Sequence, residues 1–439
     1  MSSSTCPTVS RTLFVGVVLT VVTILVVFKD DLVRQPVNVS DIYRVADADS
    51  VRNKKKILIF SSKGGGGHTS VAHALLEYMN KDYAMAVVNI FTDVLGPIMP
   101  PRWFGDRFEG ETIYNYAFQQ NWHLFVSFLV RAGKAYFGVR HHSAVAHVSR
   151  YLAEHKPDLI ISVVPIINGI IADAAKEHQL PVLLLPTDLD ATTFVRGVRT
   201  ANYDKFHIGM SFDDKAIRDT IKPSGVPAGR VHVVGFPVRS SFLQSERQRV
   251  TRRASVRRSL CISKKTPTIL VLMGSLGSTA MVALAKRLAQ LTHPTHVIFA
   301  IGRSEHLRKN LAHIKMPSHV TTTVLGFTDK VADYMAASDV IITKSGTVSV
   351  CEAIYVQLPI FLDSTTSDVL VWERFNHRFV FENGVGATIP SSQKVAKIMD
   401  NVLSDHEMMR QVKNNFTQMK VCDPRKKIRA LVGRLIAAT

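Results

Sequence analysis

A histidine directly follows four consecutive glycines in the segment SSKGGGGHTS, which spans residues 61–70. The glycines Gly65, Gly66 and Gly67 can bring backbone N–H groups close to a ligand, and a helix that begins there adds partial positive charge. His68 can act as a general base near neutral pH. The alternative is a histidine that caps the helix or bonds to the backbone. The segment therefore indicates either proton abstraction beside a bound ligand or a purely local role.

The glycine segment does not match the common phosphate-binding motifs. No Gly-Lys-Ser/Thr follows the glycines, as a Walker A loop would require, and Thr69 stands where the third glycine of Gly-x-Gly-x-x-Gly would fall. Asp93 is the nearest candidate for a ribose carboxylate in a dinucleotide site, but its strand context is unconvincing. An NAD-dependent oxidoreductase is therefore disfavoured.

A second candidate site lies in ITKSGTVSVCEA, where a strand ends and a helix begins near Thr347. The start of a helix favours an anion, so a diphosphate is expected there. The turn in LMGSLGS is expected to approach the same phosphates from the opposite side. The residues expected around the diphosphate are Gly274, Ser275, Lys344, Ser345, Gly346 and Thr347.

The elements that must position these residues alternate between short β-branched runs and helical stretches. The predicted strands of the first series include KILIF, DLIISVV and PVLLLPTD, and those of the second include TPTILVLMG, DVIITKS and PIFLD. This alternation predicts two α/β halves with parallel sheets, and ligands in such folds bind at the carboxyl ends of strands, here in the cleft between the halves. The predicted halves are residues 55–244 and 266–422, joined by an arginine-rich connector at 245–265 and followed by a C-terminal helix at 423–439.

The N-terminus carries an apolar run that predicts a membrane anchor over residues 9–28, followed by a linker over 29–54. A cleaved signal peptide is the alternative, but no small-residue cleavage site follows the run. Positive charge is concentrated after the run, which predicts that the remainder of the protein faces the cytoplasm. The net charge of +19 fits an anionic membrane surface, and no nucleic-acid-binding motif accompanies it.

The four cysteines are far apart in the sequence and show no paired spacing. They indicate a reducing compartment and neither a disulfide framework nor a metal site.

Aromatic and basic residues are interleaved between Pro101 and Tyr136, and they include Trp103 and Trp122. This composition suits a bilayer interface beside a lipid acceptor, although each ring could equally belong to the core. The arginines of residues 247–258 could add attraction to an anionic membrane, or could form a solvated helix face.

The motifs resemble the family of monogalactosyldiacylglycerol synthases and processive diacylglycerol glucosyltransferases, and more distantly the peptidoglycan transferase that adds N-acetylglucosamine to a lipid carrier. The similarity extends over roughly residues 55–420 and includes KILIFSSKGGGGHTSVAHAL, LPTDLD, GVPAGRVHVVGFPVRSSF, VLGFTDKVADYMAASDVIITKSGTVSVCEA and WERFNHRFVFENGVG. The resemblance implies a GT-B fold, with two Rossmann-like domains, the acceptor in the N-terminal half and a UDP-sugar in the C-terminal half. It also implies inversion in a single displacement without a required metal or other cofactor.

The resemblance implies roles for particular residues. His68 matches the favoured catalytic base, Glu352 would hold the ribose hydroxyls, and backbone near Phe327 would bond uracil. In VWERFN, Glu373 and Asn376 match the sugar-holding segment. Val371 and Trp372 replace the family's glycine and glutamine, which leaves the sugar's identity open.

Two departures concern the N-terminal half. Val164 and Pro165 stand where the synthases tend to have His-Pro, so Pro165 marks a place where acceptor selection could differ. Asp188-Leu189-Asp190 looks like an Asp-x-Asp metal clamp, but its family match is a Thr-Asp-Leu segment, so no metal is expected. Asp188 is the next candidate for the base after His68.

The resulting prediction is an inverting transferase that moves galactose or glucose from a UDP-sugar to diacylglycerol, as a single-pass membrane protein. The alternatives are an N-acetylglucosamine transferase that acts on another lipid, and a non-catalytic, membrane-anchored subunit that binds a nucleotide-sugar.

Overall fold

The computed structural model describes residues 54–99, 110–119, 122–198, 203–274, 277–364, 369–390 and 394–438. The predicted anchor at residues 9–28, almost all of the linker, Trp103 and Ser275 lie outside the described residues. Within the described part of the chain, no helix is both long enough and apolar enough to cross a bilayer.

The N-terminal half is built on a parallel sheet of six strands. The strands are β1 (Lys56–Ser61), β2 (Ala84–Asn89), β3 (Leu159–Ser162), β4 (Val182–Leu184), β5 (Phe206–Met210) and β6 (Val231–Val233). Their order across the sheet is β2-β1-β3-β4-β5-β6. The helices of this half are α1 (Gly67–Met79), α2 (Gly110–Gln119), α3 (His123–Val139), α4 (His141–His155), α5 (Asn168–Glu177), α6 (Thr192–Val195) and α7 (Lys215–Ile221).

The C-terminal half repeats this architecture with a second six-stranded parallel sheet. Its strands are β7 (Thr268–Leu272), β8 (Thr295–Ala300), β9 (Val320–Leu325), β10 (Val340–Thr343), β11 (Ile360–Asp363) and β12 (Gly386–Ile389), in the order β12-β11-β10-β7-β8-β9. Its helices are α8 (Glu246–Ser259), α9 (Ala280–Leu288), α10 (Glu305–Ala312), α11 (Val331–Ala337), α12 (Thr347–Val356), α13 (Arg374–Glu382), α14 (Val395–Ser404), α15 (His406–Gln418) and α16 (Pro424–Ala437). The two Rossmann-like domains of the predicted fold class are therefore confirmed.

The strands read as nearly continuous apolar runs because both faces of each sheet are covered. Along β7, Leu270 joins the large core that the second sheet shares with the N-terminal half, whereas Ile269 and Val271 pack in a separate core on the opposite face. This alternation follows from the two-residue period of a strand. One face of the second sheet thus holds the two halves together.

The arginine-rich connector forms helix α8, which begins with a capping box between Ser245 and Gln248. Three of its arginines form ion pairs with the C-terminal half: Arg252 pairs with Asp333, and Arg253 and Arg257 pair with Asp339. Arg257 is only 4% exposed. These three arginines therefore fix the connector to the C-terminal half, and the buried Arg257 is not available to a membrane.

The last helix, α16, returns to the N-terminal half. Arg429 pairs with Asp82 at 2.6 Å, and Arg425 donates to the carbonyl oxygen of Leu243 at 3.4 Å. The two halves are therefore joined by the connector, the shared core and this returning helix.

Candidate functional site between the two halves

His68 lies in the first turn of α1, immediately after the glycine loop that follows β1. Its Nδ1 is 2.8 Å from the carbonyl oxygen of Val163 and 2.9 Å from Oγ1 of Thr187. A carbonyl oxygen can only accept a hydrogen bond, so Nδ1 carries the proton. The lone pair of the neutral ring is therefore on Nε2, and this nitrogen is the one that can take a proton from a ligand.

Burial lowers the pKa of His68 to about 4, and the hydrogen bond to Val163 opposes this shift only in part. His68 is consequently neutral at pH 7, which is the protonation state that a general base needs. The ring also lies beside Phe194, at 6.4 Å between the two ring centroids. The hydrogen bond to backbone, which the sequence offered as an alternative to catalysis, is present and is what fixes the tautomer.

The segment that presents the Val163 carbonyl is held by a buried asparagine at the start of α5. Asn168 donates to the carbonyl oxygens of Val164 and Phe194 at 2.7 and 3.0 Å, and it accepts from Ser162 at 2.6 Å. Pro165, predicted to influence acceptor selection, lies in this segment and is partly exposed.

The next residue, Ile166, has a φ of +78°. A left-handed conformation is unfavourable for a β-branched residue, and such strain concentrates at functional sites.

The N–H groups of the glycine loop are largely bonded to helix α2. Glu111 Oε1 accepts from the N–H groups of Lys63 at 2.7 Å and Gly64 at 3.2 Å, and Asn115 Oδ1 accepts from the N–H of Gly65 at 2.7 Å. Gly65 has a φ of +71°, so glycine is favoured there. The carboxylate of Glu111 and the side-chain amide of Asn115 therefore occupy loop N–H groups that were expected to face a ligand.

At the end of the loop, the N-terminal half touches the C-terminal half. A Cβ at Gly67 would lie 3.4 Å from Cγ2 of Val348, in the first turn of α12. Gly67 therefore lies against the start of α12, and Gly66, before it, is the N-cap of α1.

In the C-terminal half, helix α12 begins at Thr347, with Gly346 at its N-cap and no side-chain cap. Its free N–H groups suit an anion. Gly274 has a φ of +83°, and a Cβ there would lie 3.0 Å from Cε of Lys344. Burial lowers the pKa of Lys344 to about 8, against the pull of Glu373. Gly274, Lys344 and the α12 start are therefore brought together as predicted, while their ligand role stays a prediction.

Glu373 and Asn376 lie beside this helix start. Ser345 Oγ donates to Glu373 Oε2 at 3.1 Å, and Asn376 Nδ2 donates to the carbonyl oxygen of Ser345 at 2.6 Å. Asn376 is fully buried, and its Oδ1 has no hydrogen-bond partner among the described residues. The two residues of the predicted sugar-holding segment therefore reach the same strand end as Lys344.

Asp188 joins the two halves. Thr347 Oγ1 donates to Asp188 Oδ1 at 3.1 Å and accepts from Asn376 Nδ2 at 2.9 Å. Burial, with a smaller effect from the charge of Glu373, raises the pKa of Asp188 to about 7. Asp190 instead accepts from the N–H of Thr192, so the two carboxylates of the Asp-x-Asp segment have different partners.

These hydrogen bonds, together with the peptide link between the sequence neighbours Thr187 and Asp188, form a path that we call the interdomain polar chain. It runs from the histidine after the glycine loop to the carboxylate of the predicted sugar-holding segment. Its members in order are His68, Thr187, Asp188, Thr347, Asn376, Ser345 and Glu373.

Glu352 is buried within α12 and is paired with a residue of the N-terminal half. Its Oε1 lies 3.6 Å from Nη2 of Arg239, which also donates to the carbonyl oxygen of Asp329 at 3.2 Å. Burial raises the pKa of Glu352 to about 7 although Arg239 acts in the opposite direction. Arg239 thus connects the predicted ribose carboxylate to the loop after Phe327, whose own ring is 56% exposed and lies under Arg303.

A cavity opens between the halves at this place. Phe118 and His123 of the N-terminal half line it, together with Lys344, Ser345 and Glu373 of the C-terminal half. The cavity therefore has cationic, hydroxyl and carboxylate groups on one side and aromatic rings on the other, a lining suited to a polar ligand with a flat or apolar part.

Trp122 does not stand alone at a surface. It packs with Phe125 and with Trp372 of the C-terminal half around the buried side chains of Ala117 and Leu370. We call these residues, with Tyr114, Phe118 and Val126, the interdomain aromatic cluster. Because this cluster lies near the cavity, a role of Trp122 in acceptor binding stays a prediction.

Sequence reasoning missed several residues of this site. Thr187 lies in the quoted LPTDLD segment, but its contact with His68, like the hydrogen bonds of Asn168 that hold the Val163 segment, is tertiary and could not be predicted from the motif. Arg239 directly follows the segment VHVVGFPV, close to the predicted boundary between the two halves. An arginine at this boundary was the available signal. Glu111 and Asn115 are 47 to 50 residues from the loop amides that they bind, so no local pattern could identify them.

Residues 268–420, which make up most of the C-terminal half, match the model of the glycosyltransferase family 28 C-terminal domain. The monogalactosyldiacylglycerol synthase of Spinacia oleracea is 27% identical over 391 residues, which cover 83% of this chain and 67% of that protein. Monogalactosyldiacylglycerol synthase 1 of Arabidopsis thaliana is 26% identical, with 79% and 64% covered. The processive diacylglycerol beta-glucosyltransferase of Staphylococcus haemolyticus is 21% identical, with 84% and 90% covered. The resemblance predicted from the motifs is confirmed, and the chain spans about two thirds of the plant synthases.

Solved structures agree on the fold. MurG of Acinetobacter baumannii superposes with a TM-score of 0.57 at 15% identity, covering 87% of this chain and 99% of that one. Arabidopsis thaliana UGT89C1 complexed with UDP gives a TM-score of 0.55 at 15% identity, with the same coverage. At this identity the likeness establishes the shared two-domain fold.

Proposed function

We propose that the protein is an inverting glycosyltransferase that transfers a hexose, galactose or glucose, from a UDP-sugar to a diacylglycerol-type lipid. The observation that carries the proposal is the interdomain polar chain. It connects a neutral histidine in one half to the helix start and carboxylate of the other, in a chain whose relatives are named for transfer to diacylglycerol.

In the proposed reaction, the acceptor hydroxyl oxygen attacks the anomeric carbon while His68 Nε2 takes the hydroxyl proton. The bond between the anomeric carbon and the UDP oxygen breaks, and the diphosphate leaves with the electron pair. Lys344 and the free N–H groups at the start of α12 are placed to stabilise its negative charge. Attack from the side opposite the leaving group inverts the anomeric configuration.

The UDP-sugar would bind against the C-terminal half. Glu352 accepts hydrogen bonds from the ribose hydroxyls in this proposal, and Glu373 accepts from hydroxyls of the sugar. Both carboxylates are at least nine-tenths buried, so each gains strength from a low local dielectric once it has a partner.

The lipid would reach the site from the membrane side of the N-terminal half. Helix α3 carries Leu124 and Val139 at 80% and 86% exposure, with Arg131 on the same helix also exposed. Exposed apolar side chains next to cations suit a bilayer interface. We propose that this helix and the predicted anchor at residues 9–28 attach the protein to an anionic membrane surface, with both halves in the cytoplasm.

The test is incorporation of labelled sugar into lipid. Membranes that contain the protein are incubated with labelled UDP-glucose, UDP-galactose or UDP-N-acetylglucosamine, with membranes of a His68→Ala variant as the control. Label in a diacylglycerol product from one of the first two donors is expected. A product only from the third donor selects the alternative transferase, and no lipid product from any donor refutes the enzyme assignment.

A variant that begins at residue 51 tests the role of the N-terminal segment separately. It is expected to fold and to bind UDP, because β1 begins only at Lys56. It should lose most of its transfer to lipid in vesicles and less of its transfer to a short-chain diacylglycerol in solution. Failure to fold would show that the removed segment belongs to the core.

A further inference from the structure

Helix α2 belongs to the N-terminal half in sequence but contacts both halves of the site. At its beginning, Glu111 accepts from Ser62 Oγ at 2.7 Å in addition to the N–H groups of Lys63 and Gly64. Its second carboxylate oxygen accepts from Asn89 Nδ2 at 2.7 Å. Four donors on one carboxylate anchor this end of the helix to the loop that leads into His68.

At the other end of the helix, Phe118 reaches the C-terminal half. The ammonium nitrogen of Lys344 lies 3.6 Å from the centroid of the Phe118 ring, which is a cation–π contact. The stem of the same lysine passes Gly274, where an added Cβ would lie 3.0 Å from Lys344 Cε. Lys344 is thus held between a ring of one half and a glycine of the other, and Phe118 and Lys344 both line the cavity.

We propose that Phe118 and Glu111 are positioning residues of the donor site: Phe118 directs the Lys344 ammonium toward the diphosphate, and Glu111 keeps α2 in place for this. The inference rests on the proposed function, since it concerns a nucleoside diphosphate at Lys344. It means that the N-terminal half contributes to donor binding and that the glycine loop and the donor pocket are coupled through one helix.

The physical basis is the cost of ordering a lysine. A free Lys side chain loses much rotamer freedom when it is fixed on a phosphate. A ring face occupies one side of the ammonium and leaves its other N–H groups for the ligand. Phe118 therefore restricts the Lys344 side chain before the diphosphate binds, so less rotamer entropy is lost on binding. Without the Glu111 hydrogen bonds, α2 would be held less firmly and Phe118 would restrict Lys344 less. Glu111 would thus affect Lys344 without touching it.

The experiment measures the affinity of the full chain for UDP by titration calorimetry in detergent micelles. Phe118→Leu is expected to weaken UDP binding about 3- to 10-fold, and Phe118→Tyr, which keeps an aromatic face, is expected to remain within about 2-fold of the wild type. Phe128→Leu is the matched control, since that ring stacks on Phe125 outside the cavity lining. It is expected to leave UDP affinity unchanged.

Glu111→Ala tests the coupling. It is expected to weaken UDP binding about 3- to 10-fold by itself and less than 2-fold more when Phe118 is already Leu, because both changes remove the same contact. If the two substitutions acted independently, their losses of UDP affinity would multiply in the double variant. A smaller combined loss indicates that Glu111 and Phe118 act through the same contact. Thermal unfolding of each variant shows that it is folded.

The outcomes separate the two proposals. If the wild type binds UDP and Phe118→Leu binds it equally or more tightly, or if Tyr fails to rescue, the positioning role is refuted and the proposed function is untouched. If the wild type does not bind UDP at all, the proposed function fails. If UDP binding follows the predicted pattern but no lipid product forms from any donor, the donor-site inference stands and the proposed function fails.

Discussion

Replacing His68 with alanine is the most direct test of the chemistry. The general-base contribution of a side chain is typically about 10² to 10⁴-fold in rate. Because burial lowers the pKa of His68 to about 4, its Nε2 is a weaker base than an ordinary imidazole, which places the expected loss near the lower end. We therefore expect His68→Ala to reduce kcat about 10²-fold, which corresponds to about 2.7 kcal/mol of transition-state stabilisation.

Affinity for UDP should be nearly unchanged in the same variant, since both hydrogen-bond partners of His68, Val163 and Thr187, belong to the N-terminal half. The assay combines transfer from a UDP-sugar at saturating donor with calorimetric titration of UDP. His147→Ala is a matched control, because its Nδ1 also lies 2.8 Å from a backbone carbonyl oxygen, that of Ser143, on a helix away from the cavity lining. Near-normal turnover of His68→Ala would show that His68 is not the general base and has only a local structural role.

The pH dependence of kcat/KM adds an independent criterion. A base must be unprotonated, so activity falls tenfold per pH unit below its pKa. With His68 as the base, this fall begins only near pH 4. Burial raises the pKa of Asp188 to about 7, so with Asp188 as the base the fall in kcat/KM would begin near pH 7. If such a fall is observed, and Asp188→Asn loses both this pH dependence and most of the activity, Asp188 is the general base.

Three further outcomes follow from the burial of charged groups. The pKa of Asp188 and that of Glu352 are both raised to about 7, so the folded protein holds more protons than the unfolded chain between about pH 4 and 7, and stability falls as the pH rises through that window. Asp188→Asn should therefore raise the melting temperature more at pH 8 than at pH 5, and an equal change at both values would contradict the shift. Glu352→Ala should weaken UDP binding about 5- to 100-fold in calorimetry, since ribose hydroxyls are left unpaired, and unchanged affinity would exclude the ribose role. Arg257→Ala should lower the free energy of unfolding by about 3 kcal/mol or more in denaturant titrations, whereas the exposed Arg258→Ala should change it by less than about 0.5 kcal/mol; similar effects of the two would show that burial of Arg257 is not what stabilises the connector.

The two sheets could be predicted from the sequence because parallel strands are buried on both faces and read as continuous apolar runs. Strand β12 escaped this pattern, since it is four residues long and begins with Gly386. A Cβ there would lie 1.8 Å from the carbonyl oxygen of Ile360 on the neighbouring strand. The contact that requires a glycine at this position is tertiary, and glycine is a weak signal for a strand.

The site was predictable where a strand end and a helix start coincide in the sequence, as at His68 and Thr347. It was not predictable where side chains from distant segments complete it. Glu111 and Asn115 occupy loop N–H groups that were expected to face a ligand, and Arg252 and Arg253 pair with aspartates that are more than 80 residues away in the chain. Such partners are set by how the helices pack, which the local pattern of hydrophobicity does not encode.

Trp372 explains how the sugar-holding segment could change without losing its place. Its indole packs in the interdomain aromatic cluster, and it is absent from the lining of the cavity, whereas Glu373, the next residue, does line it. An indole cannot replace the hydrogen bonds of a glutamine amide, but against Leu370 and Trp122 it can bury apolar surface between the halves. If the proposed function is correct, Glu373 is the residue of this segment that accepts hydrogen bonds from the sugar hydroxyls. The segment is thereby attached to α2 and α3 through Trp372, and α2 is also the helix whose Phe118 contacts Lys344.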